Sequence, residues 1–302
     1  DPVGDVQIVP DGEPPDRPAP KLSADRWADV RFDDLLHDEG IDPVALAGVQ
    51  PKASAAMLAL PIATAGGHHL LKLAPPEFPH LVENEAFFLQ VARRSGLRVA
   101  DAEVVQDKEG RTGLLVTRFD RHVRDGHVGA LAQEDGGQVM GRYPADKYTV
   151  TTEEVTAALI AVTRARPVAA RELVARVAFA YLTGNGDLHA KNLSVGQTSE
   201  GEWRVTPAYD LPSSQPYGDT TMALTVQGRK REDITRTTIL QLAEAVGLRS
   251  RAAASTIDTL IDAVDGWLPG LESLPFDERR IHRLRRVIID RRAKLRPAGR
   301  ST

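Results

Sequence analysis

The rhythm of apolar and polar positions changes several times along this chain. Two short apolar runs, Ala55–Leu60 and His69–Leu73, flank Ala65-Gly66-Gly67, a pattern that predicts a β-hairpin. Pro75, Pro76 and Pro79 stop the second strand, because proline offers no N–H to a sheet ladder. From residue 82 to 95 the apolar positions Val82, Ala86, Leu89 and Ala92 recur at helical spacing, and Gly96 is placed to close that helix. Residues 112–119 return to a strand pattern.

From about residue 150 the helical period takes over. Thr151 or Thr152 can cap a helix, with Glu153 and Glu154 favourable in its first turn. Residues 168–183 place Leu173, Val174, Val177, Ala178, Tyr181 and Leu182 on one face and stop at Gly184-Asn185-Gly186. Two short strands, Asn192–Val195 and Trp203–Thr206, follow, and residues from about 233 to 297 are helical. In the last helix Ile281, Leu284, Val287 and Ile288 are expected to face inward, with a charged face rich in arginine. At the other end, residues 1–24 are rich in Pro, Asp and Gly around one apolar patch, Val6–Val9, which reads as a strand remnant and linker. Residues 33–48 carry a short amphipathic stretch.

Composition narrows the classes. The chain has 302 residues, 42% of them hydrophobic, enough for one large domain or two lobes around a cleft. The net charge of -4 argues against nucleic acid as the principal ligand. With no cysteine there is no disulfide framework, thiolate metal site or cysteine nucleophile, which fits a cytoplasmic protein. No apolar run reaches the roughly 18–20 residues of a membrane-spanning helix. No secretory signal is visible, and a chain opening at Asp1 is expected to be a piece of something longer.

The candidate chemistry lies in Gly184-Asn185-Gly186-Asp187-Leu188-His189-Ala190-Lys191-Asn192 and in Tyr209-Asp210. A helix, a loop and a short hairpin separate these residues, so Asp187, Asn192 and Asp210 are expected at one end of a small sheet. A plain helix cap or turn would account for any one of them; the spacing of all three favours a site. Phosphoryl transfer needs positioning and charge neutralisation more than covalent help. Asn192 and Asp210 supply hard oxygens for Mg²⁺, while Asp187 can orient an incoming hydroxyl and accept its proton. Lys191 can touch a phosphate oxygen, and His189 is expected to brace the loop. Upstream, the small residues of Ala47-Gly48-Val49-Gln50-Pro51-Lys52 let backbone N–H groups approach phosphates. Strand alternation points Lys72 away from Leu71 and Leu73, toward a helix carboxylate for which Glu85 is the first choice and Glu83 the second.

These segments, together with Thr117-Arg118-Phe119-Asp120-Arg121 and Gln133-Glu134-Asp135, resemble in content and order the HipA family of toxin-type serine/threonine kinases. The resemblance implies an α+β, bilobal protein-kinase-like (HipA-like) fold with a small β-rich N-lobe and a mainly helical C-lobe. The expected division is 1–30 as remnant strand and linker, 31–120 as N-lobe with the nucleotide loop, and 121–302 as C-lobe with the catalytic loop and metal site. It implies ATP and Mg²⁺ as cofactors, Asp187 as catalytic base, and Asn192 and Asp210 as metal ligands. Lys72, paired with Glu85, would hold ATP phosphates beneath the loop of Ala47, Gly48, Val49, Gln50 and Lys52. Thr117 to Phe119 would form the hinge that holds adenine, and His189 and Lys191 would line the nucleotide site. The implied partners are a protein substrate, such as a tRNA synthetase, and a helix-turn-helix antitoxin that carries any contact with DNA; no membrane is implied.

Two departures from the family stand out. Only the last strand of its additional N-terminal subdomain is expected here, in Val3–Val9. Where many members place an autophosphorylated serine before the nucleotide loop, this chain has Ala45, so that off-switch is expected to be absent. Two other readings of the same residues are a small-molecule phosphotransferase of aminoglycoside- or choline-kinase type and a non-catalytic corepressor. The arginines of the last helix (Arg279, Arg280, Arg283, Arg285, Arg286, Arg291 and Arg292) read as a solvated face, with contact to DNA or an acidic partner as the alternative.

Overall fold

In the computed structural model, which describes residues 11–12, 24–37, 57–64, 67–124 and 127–297, the predicted hairpin is formed by β1 (Leu58–Thr64) and β2 (Gly67–Leu73). Its antiparallel register sets Ala59 opposite Lys72. β3 (Ala102–Gln106) and β4 (Thr112–Thr117) complete a four-stranded sheet in the order β1-β2-β4-β3. The sequence pattern had not marked β3, whose side chains are mostly exposed and lack an apolar alternation. Strand alternation gives the sheet two buried faces. Leu71, Leu73 and Leu115 pack with Trp27 and with Phe32, the first residue of α1 (Phe32–His37). Leu114 and Val116 belong to the other face, with Leu81, Phe88 and Val91 of α2 (Leu81–Arg94). Lys72 pairs in register with Leu114, so it also points to the α2 side.

A second antiparallel pair, β5 (Arg121–Arg124) and β6 (His127–Ala130), leads into the larger, helical part. There β7 (Gln133–Asp135), β8 (Ser194–Gln197) and β9 (Trp203–Val205) form a three-stranded antiparallel sheet, one strand more than the hairpin the pattern predicts. After the short α3 (Gly136–Val139), α4 (Thr152–Val162) begins with the expected cap. Thr151 accepts from the Glu154 N–H while the Glu154 carboxylate accepts from the Thr151 N–H.

α5 (Arg166–Thr183) is the central helix, with Leu173, Val174, Val177, Ala178, Phe179 and Ala180 all fully buried. It ends at Gly184, whose left-handed φ of 76° is readily adopted only by glycine. α6 (Arg236–Ala245), α7 (Ser250–Trp267) and α8 (Glu278–Leu295) pack around it. The described helices include none long and apolar enough to cross a membrane.

The last helix departs from its sequence reading in two residues: Val287, expected to face inward, is only half-buried, and Arg291 is buried. Ile281, Leu284 and Ile288 are buried, but so is Arg291, which donates to the carbonyls of Tyr181 (2.7 Å) and Thr220 (2.9 Å) and lies 4.8 Å from the Tyr181 ring. Arg291 therefore ties α8 to the end of α5 and is not part of a solvated or DNA-facing stripe. Arg285 and Arg292 are engaged by Glu272 and Asp265. The expected strand at Val3–Val9, the nucleotide loop Ala47–Lys52 and Ala45 lie outside the described residues.

Candidate active site

The site is built where α5 stops. With Gly184 turning the chain, Asn185 sits between two backbone strands: its Oδ1 accepts from the Asp187 N–H (2.9 Å) and its Nδ2 donates to the Asp210 carbonyl (3.1 Å). One buried amide thus fixes the backbone of Asp187 relative to that of Asp210. The Gly186 N–H donates to Ser214 Oγ (3.0 Å), and the Ser214 N–H returns to the Gly184 carbonyl (2.8 Å). Neither Asn185 nor Ser214 was singled out from sequence. Asn185 alone had a local signal, a polar residue wedged between two glycines.

Asp187 is buried, and its Oδ1 accepts from the Tyr148 hydroxyl (2.9 Å). Tyr148, also missed in the sequence, comes from the segment before α4. Burial pushes its phenol upward, and the Asp187 charge adds to that, so the tyrosine remains a donor. Asn192 Nδ2 donates to Asp210 Oδ2 (2.9 Å), and Asn192 Oδ1 accepts from the His189 N–H (3.2 Å). Asp210 has a φ of 53°, an unusual conformation for a non-glycine residue and one found preferentially at functional sites.

Lys72 reaches this cluster from the sheet. Its Nζ donates to Glu85 Oε1 (2.8 Å) and, more closely, to Asp210 Oδ1. Burial alone would lower the lysine, but the two carboxylates outweigh it and hold it well above its ordinary value, so it stays an ammonium. Burial pushes Glu85 up, opposed by the Lys72 charge. The structure therefore joins Lys72, Glu85, Asp210 and Asn192 in one continuous chain of contacts across the two parts of the fold.

The remaining predicted residues lie around this chain. His189 is buried and held down to about 3, first by desolvation and then by the Lys147 charge, so it is neutral at physiological pH. Its ring meets Tyr148 edge-on at 5.2 Å. Lys191 is half-buried, and its carbonyl accepts from the Tyr209 hydroxyl (2.9 Å). Phe119 lies 5.9 Å from the Tyr209 ring. In the Thr117–Phe119 segment two N–H groups are already used: Thr117 donates to the Asp101 carbonyl (2.8 Å) and Arg118 to the His68 carbonyl (2.9 Å). These two N–H groups are therefore not available to a ligand at this segment. A cavity of about 550 Å³ adjoins Phe119 on the side of β7–β9 and α5, but Lys72, Asp187, Asn192 and Asp210 do not line it, so it is not the site of the candidate chemistry.

Among the described residues no three His, Asp or Glu side chains gather into a metal cage. The donor set at Asn192 and Asp210 nonetheless suits a hard divalent cation that retains water and substrate oxygens. It offers one carboxylate and one amide whose oxygen and nitrogen are assigned from hydrogen bonding. Turning that amide over would bring Oδ1 to the Asp210 side at the loss of the His189 contact.

A small β-rich lobe joined to a mainly helical lobe, with the site between them, is the bilobal protein-kinase-like architecture. The chain belongs to the HipA-like C-terminal domain family, whose model matches residues 44–268. It is 29% identical over 310 residues to the kinase-named protein Y4mE of Sinorhizobium fredii, covering 93% of this chain and 73% of that one. It is 30% identical over 201 residues to the serine/threonine-protein kinase toxin HipA of Shewanella oneidensis, covering 60% of this chain and 46% of the toxin. Two further curated relatives are spanned over about half their length, 49% and 53%.

Among solved structures, the Shewanella oneidensis HipA, HipB and operator DNA complex matches with a TM-score of 0.75 and 21% identity, over 97% of this chain and 75% of that one. The Helicobacter pylori proinflammatory kinase CtkA matches with a TM-score of 0.59 and 13% identity, over 84% of this chain and 93% of that one. These two likenesses show the fold.

Proposed function

We propose that this chain is an ATP- and Mg²⁺-dependent serine/threonine protein kinase and acts as the toxin of a HipA-type toxin–antitoxin pair. The observation that carries the reading is the contact chain Glu85–Lys72–Asp210–Asn192, with the buried Asp187 tied to Asp210 through Asn185. A buried ammonium between two carboxylates is suited to exchange part of its pairing for phosphate oxygens when a nucleotide arrives. Asp187 would orient the substrate hydroxyl and take its proton, with Tyr148 holding one carboxylate oxygen so that the other faces the acceptor. Asn192 and Asp210 would hold Mg²⁺, which neutralises charge on the phosphates. Ala47, Gly48, Val49, Gln50 and Lys52 would cover the phosphates, Thr117 and Phe119 would border adenine, and His189 and Lys191 would border the nucleotide.

A helix-turn-helix antitoxin as partner is supported by the relative solved with HipB and operator DNA. A translation protein such as a tRNA synthetase is the proposed substrate, on the family resemblance.

The test is Mg²⁺-dependent ATP turnover and phosphotransfer to protein serine by the wild type and by Asp187→Asn. A fall of about 10³-fold or more in the variant, with nucleotide binding retained, supports the reading. Equal background activity in both ends it and leaves the non-catalytic corepressor.

A further inference from the structure

The last helix, α8, reaches the candidate active site through one side chain. Arg291 is 4% exposed, and its guanidinium holds two backbone carbonyls that are distant from each other in sequence. Nη1 donates to the Tyr181 carbonyl and Nη2 to the Thr220 carbonyl. Tyr181 belongs to the last turn of α5, three residues before Gly184 turns the chain toward Asp187. Its carbonyl lies at the negative end of the helix dipole, where a cation is favoured. Thr220 lies between Asp219 and Thr221, the two residues that press against Gly186. One planar fork therefore spans the entry to the loop that carries Asp187 and the turn packed on that loop.

Docking of α8 does not require this contact. Leu284, Ile288 and Leu295 are fully buried on the same helix, and Ile281 is nearly so. An apolar residue at 291 would serve such an interface without the desolvation of a charge. Burial does hold the guanidinium below its ordinary value, offset in part by Tyr181 and by the carboxylates of Glu232, Asp290 and Asp219. Asp219 is thus near enough to act on Arg291, while its Oδ2 would lie 2.7 Å from a Cβ placed on Gly186. The Thr221 carbonyl oxygen would lie 2.6 Å from the same Cβ, so the slot around Gly186 has little tolerance. The spacing between the end of α5 and the 219–221 turn sets that slot, and Arg291 bonds to both.

We propose that Arg291 is a positioning residue for Asp187: by fixing the Tyr181 and Thr220 carbonyls on one guanidinium, it sets the slot that seats Gly186 and hence the place of the Asp187 carboxylate. Arginine suits this task better than lysine. Two N–H groups of a rigid fork hold two acceptors at a set separation, which an ammonium on a flexible stem does not. The Tyr148 hydroxyl orients the Asp187 side chain, and Arg291 places the backbone that carries it. The inference rests on the reading of Asp187 as the base of a phosphotransfer, and it adds the last helix to the parts which that reaction needs.

The test compares Arg291→Met, Arg291→Lys and Leu284→Ala in Mg²⁺-dependent ATP turnover and in amide hydrogen exchange of the intact chain. The Tyr181 carbonyl released in Arg291→Met still accepts from the Gly184 N–H, so this variant is expected to fold. A shift of about 1 Å at a reacting group costs about 10²-fold in rate, so a smaller shift gives an expected fall in kcat of about tenfold. KM for ATP should stay within about twofold of the wild type, since Lys72 and Asp210 are untouched. Exchange at residues 184–188 and 219–222 should quicken, while that of β1–β4 keeps the wild-type rate. Arg291→Lys keeps the charge and one donor; its kcat should fall between those of Arg291→Met and the wild type, and it carries the comparison if Arg291→Met unfolds. Leu284→Ala loosens α8 about two turns away and should lower stability with kcat unchanged. Wild-type kcat in folded Arg291→Met, or an equal loss of kcat in Leu284→Ala, overturns the proposal. If the wild type shows no turnover, the kinase reading fails by itself and exchange decides: unchanged protection at residues 184–188 then overturns the placing role of Arg291.

Discussion

Asn84 grips both backbone groups of Ser213: its Nδ2 donates to the Ser213 carbonyl at 2.8 Å and its Oδ1 accepts from the Ser213 N–H at 3.1 Å. Asn84 is fully buried on α2, next to Glu85, and Ser213 lies three residues after Asp210. The helix that carries the partner of Lys72 is thus fastened to the segment that carries Asp210. Asn84→Ala leaves a buried donor and a buried acceptor without partners, and is expected to cost about 2–4 kcal/mol in urea unfolding. Asn84→Asp, which sets a buried carboxylate beside Glu85 and an acceptor against the Ser213 carbonyl, should cost more than Asn84→Ala at pH 7. The same order is expected in the KM for ATP, since a loosened α2 weakens the Lys72–Glu85 pair before it touches the chemistry.

The pair itself separates stability from activity. Lys72→Met removes the cation between Glu85 and Asp210 and leaves Glu85, 1% exposed, as an uncompensated buried acid. Removing one member of such a pair costs about 3–5 kcal/mol. Lys72→Met/Glu85→Leu removes both charges and is expected to recover most of that stability in denaturant titration. ATP turnover should stay abolished in the double variant, because phosphate pairing needs the ammonium. Recovery of turnover along with stability would show that Lys72 acts only in folding.

Much of this site was legible because its residue types are constrained together. Strand alternation assigns Lys72 a face, and Glu85 follows from its place near the start of the next helix. Asp187, Asn192 and Asp210 stood out because a helix, a loop and a hairpin of set length separate them. Tyr148, Asn84, Asn185, Ser213 and Ser214 were not legible. They act through one or two hydrogen bonds each, to residues nearby in sequence or far from it, and an isolated Asn, Ser or Tyr carries no period. The strand β3 was missed because its outward side chains are exposed, and buried Arg291 because a charged residue on a charged helix reads as solvated. Side-chain-to-backbone ties of this kind depend on tertiary geometry that local patterning does not encode.

A further prediction concerns the sheet and its pH dependence. Asp107, just after β3, accepts from the backbone N–H groups of Phe32 (3.0 Å), Glu109 (2.9 Å) and Arg111 (2.9 Å). Burial alone would raise this carboxyl, but the three donors and the Arg111 charge outweigh it and hold it below its ordinary 3.8. A carboxyl with a lower pKa in the native than in the unfolded chain adds stability that is complete above the unfolded value and lost as pH falls through the native one. Asp107→Ala is therefore expected to cost about 2–3 kcal/mol at pH 7. Its penalty should shrink as the pH falls below about 4, where the wild type loses the same contribution. Unfolding free energies measured from pH 7 to pH 3 check this; a penalty independent of pH would contradict it.

In the loop that carries Asp187, Gly186 is closely hemmed in. A Cβ there would lie 2.6 Å from the Thr221 carbonyl oxygen and 2.7 Å from Asp219 Oδ2. Asp219 Oδ1 is itself fastened to the Thr221 N–H (3.0 Å) and hydroxyl (2.9 Å), so the obstacle is a closed turn rather than the free end of a flexible side chain. Gly186→Ala must therefore displace the loop that presents Asp187, and with it the Gly186 N–H contact to Ser214. A displacement of about 1 Å at a reacting group can reduce turnover by about 10²-fold. The expected outcome is a loss of that order in kcat. Nucleotide affinity should stay near the wild-type value, because Lys72 and Asp210 approach from other elements and Asn192, at the far end of the loop, is held by Asp210. Asp219→Ala removes the side-chain half of the obstacle but leaves the Thr221 carbonyl, so Gly186→Ala/Asp219→Ala should regain only part of the loss. Full turnover in Gly186→Ala alone would show that the loop tolerates movement at Asp187.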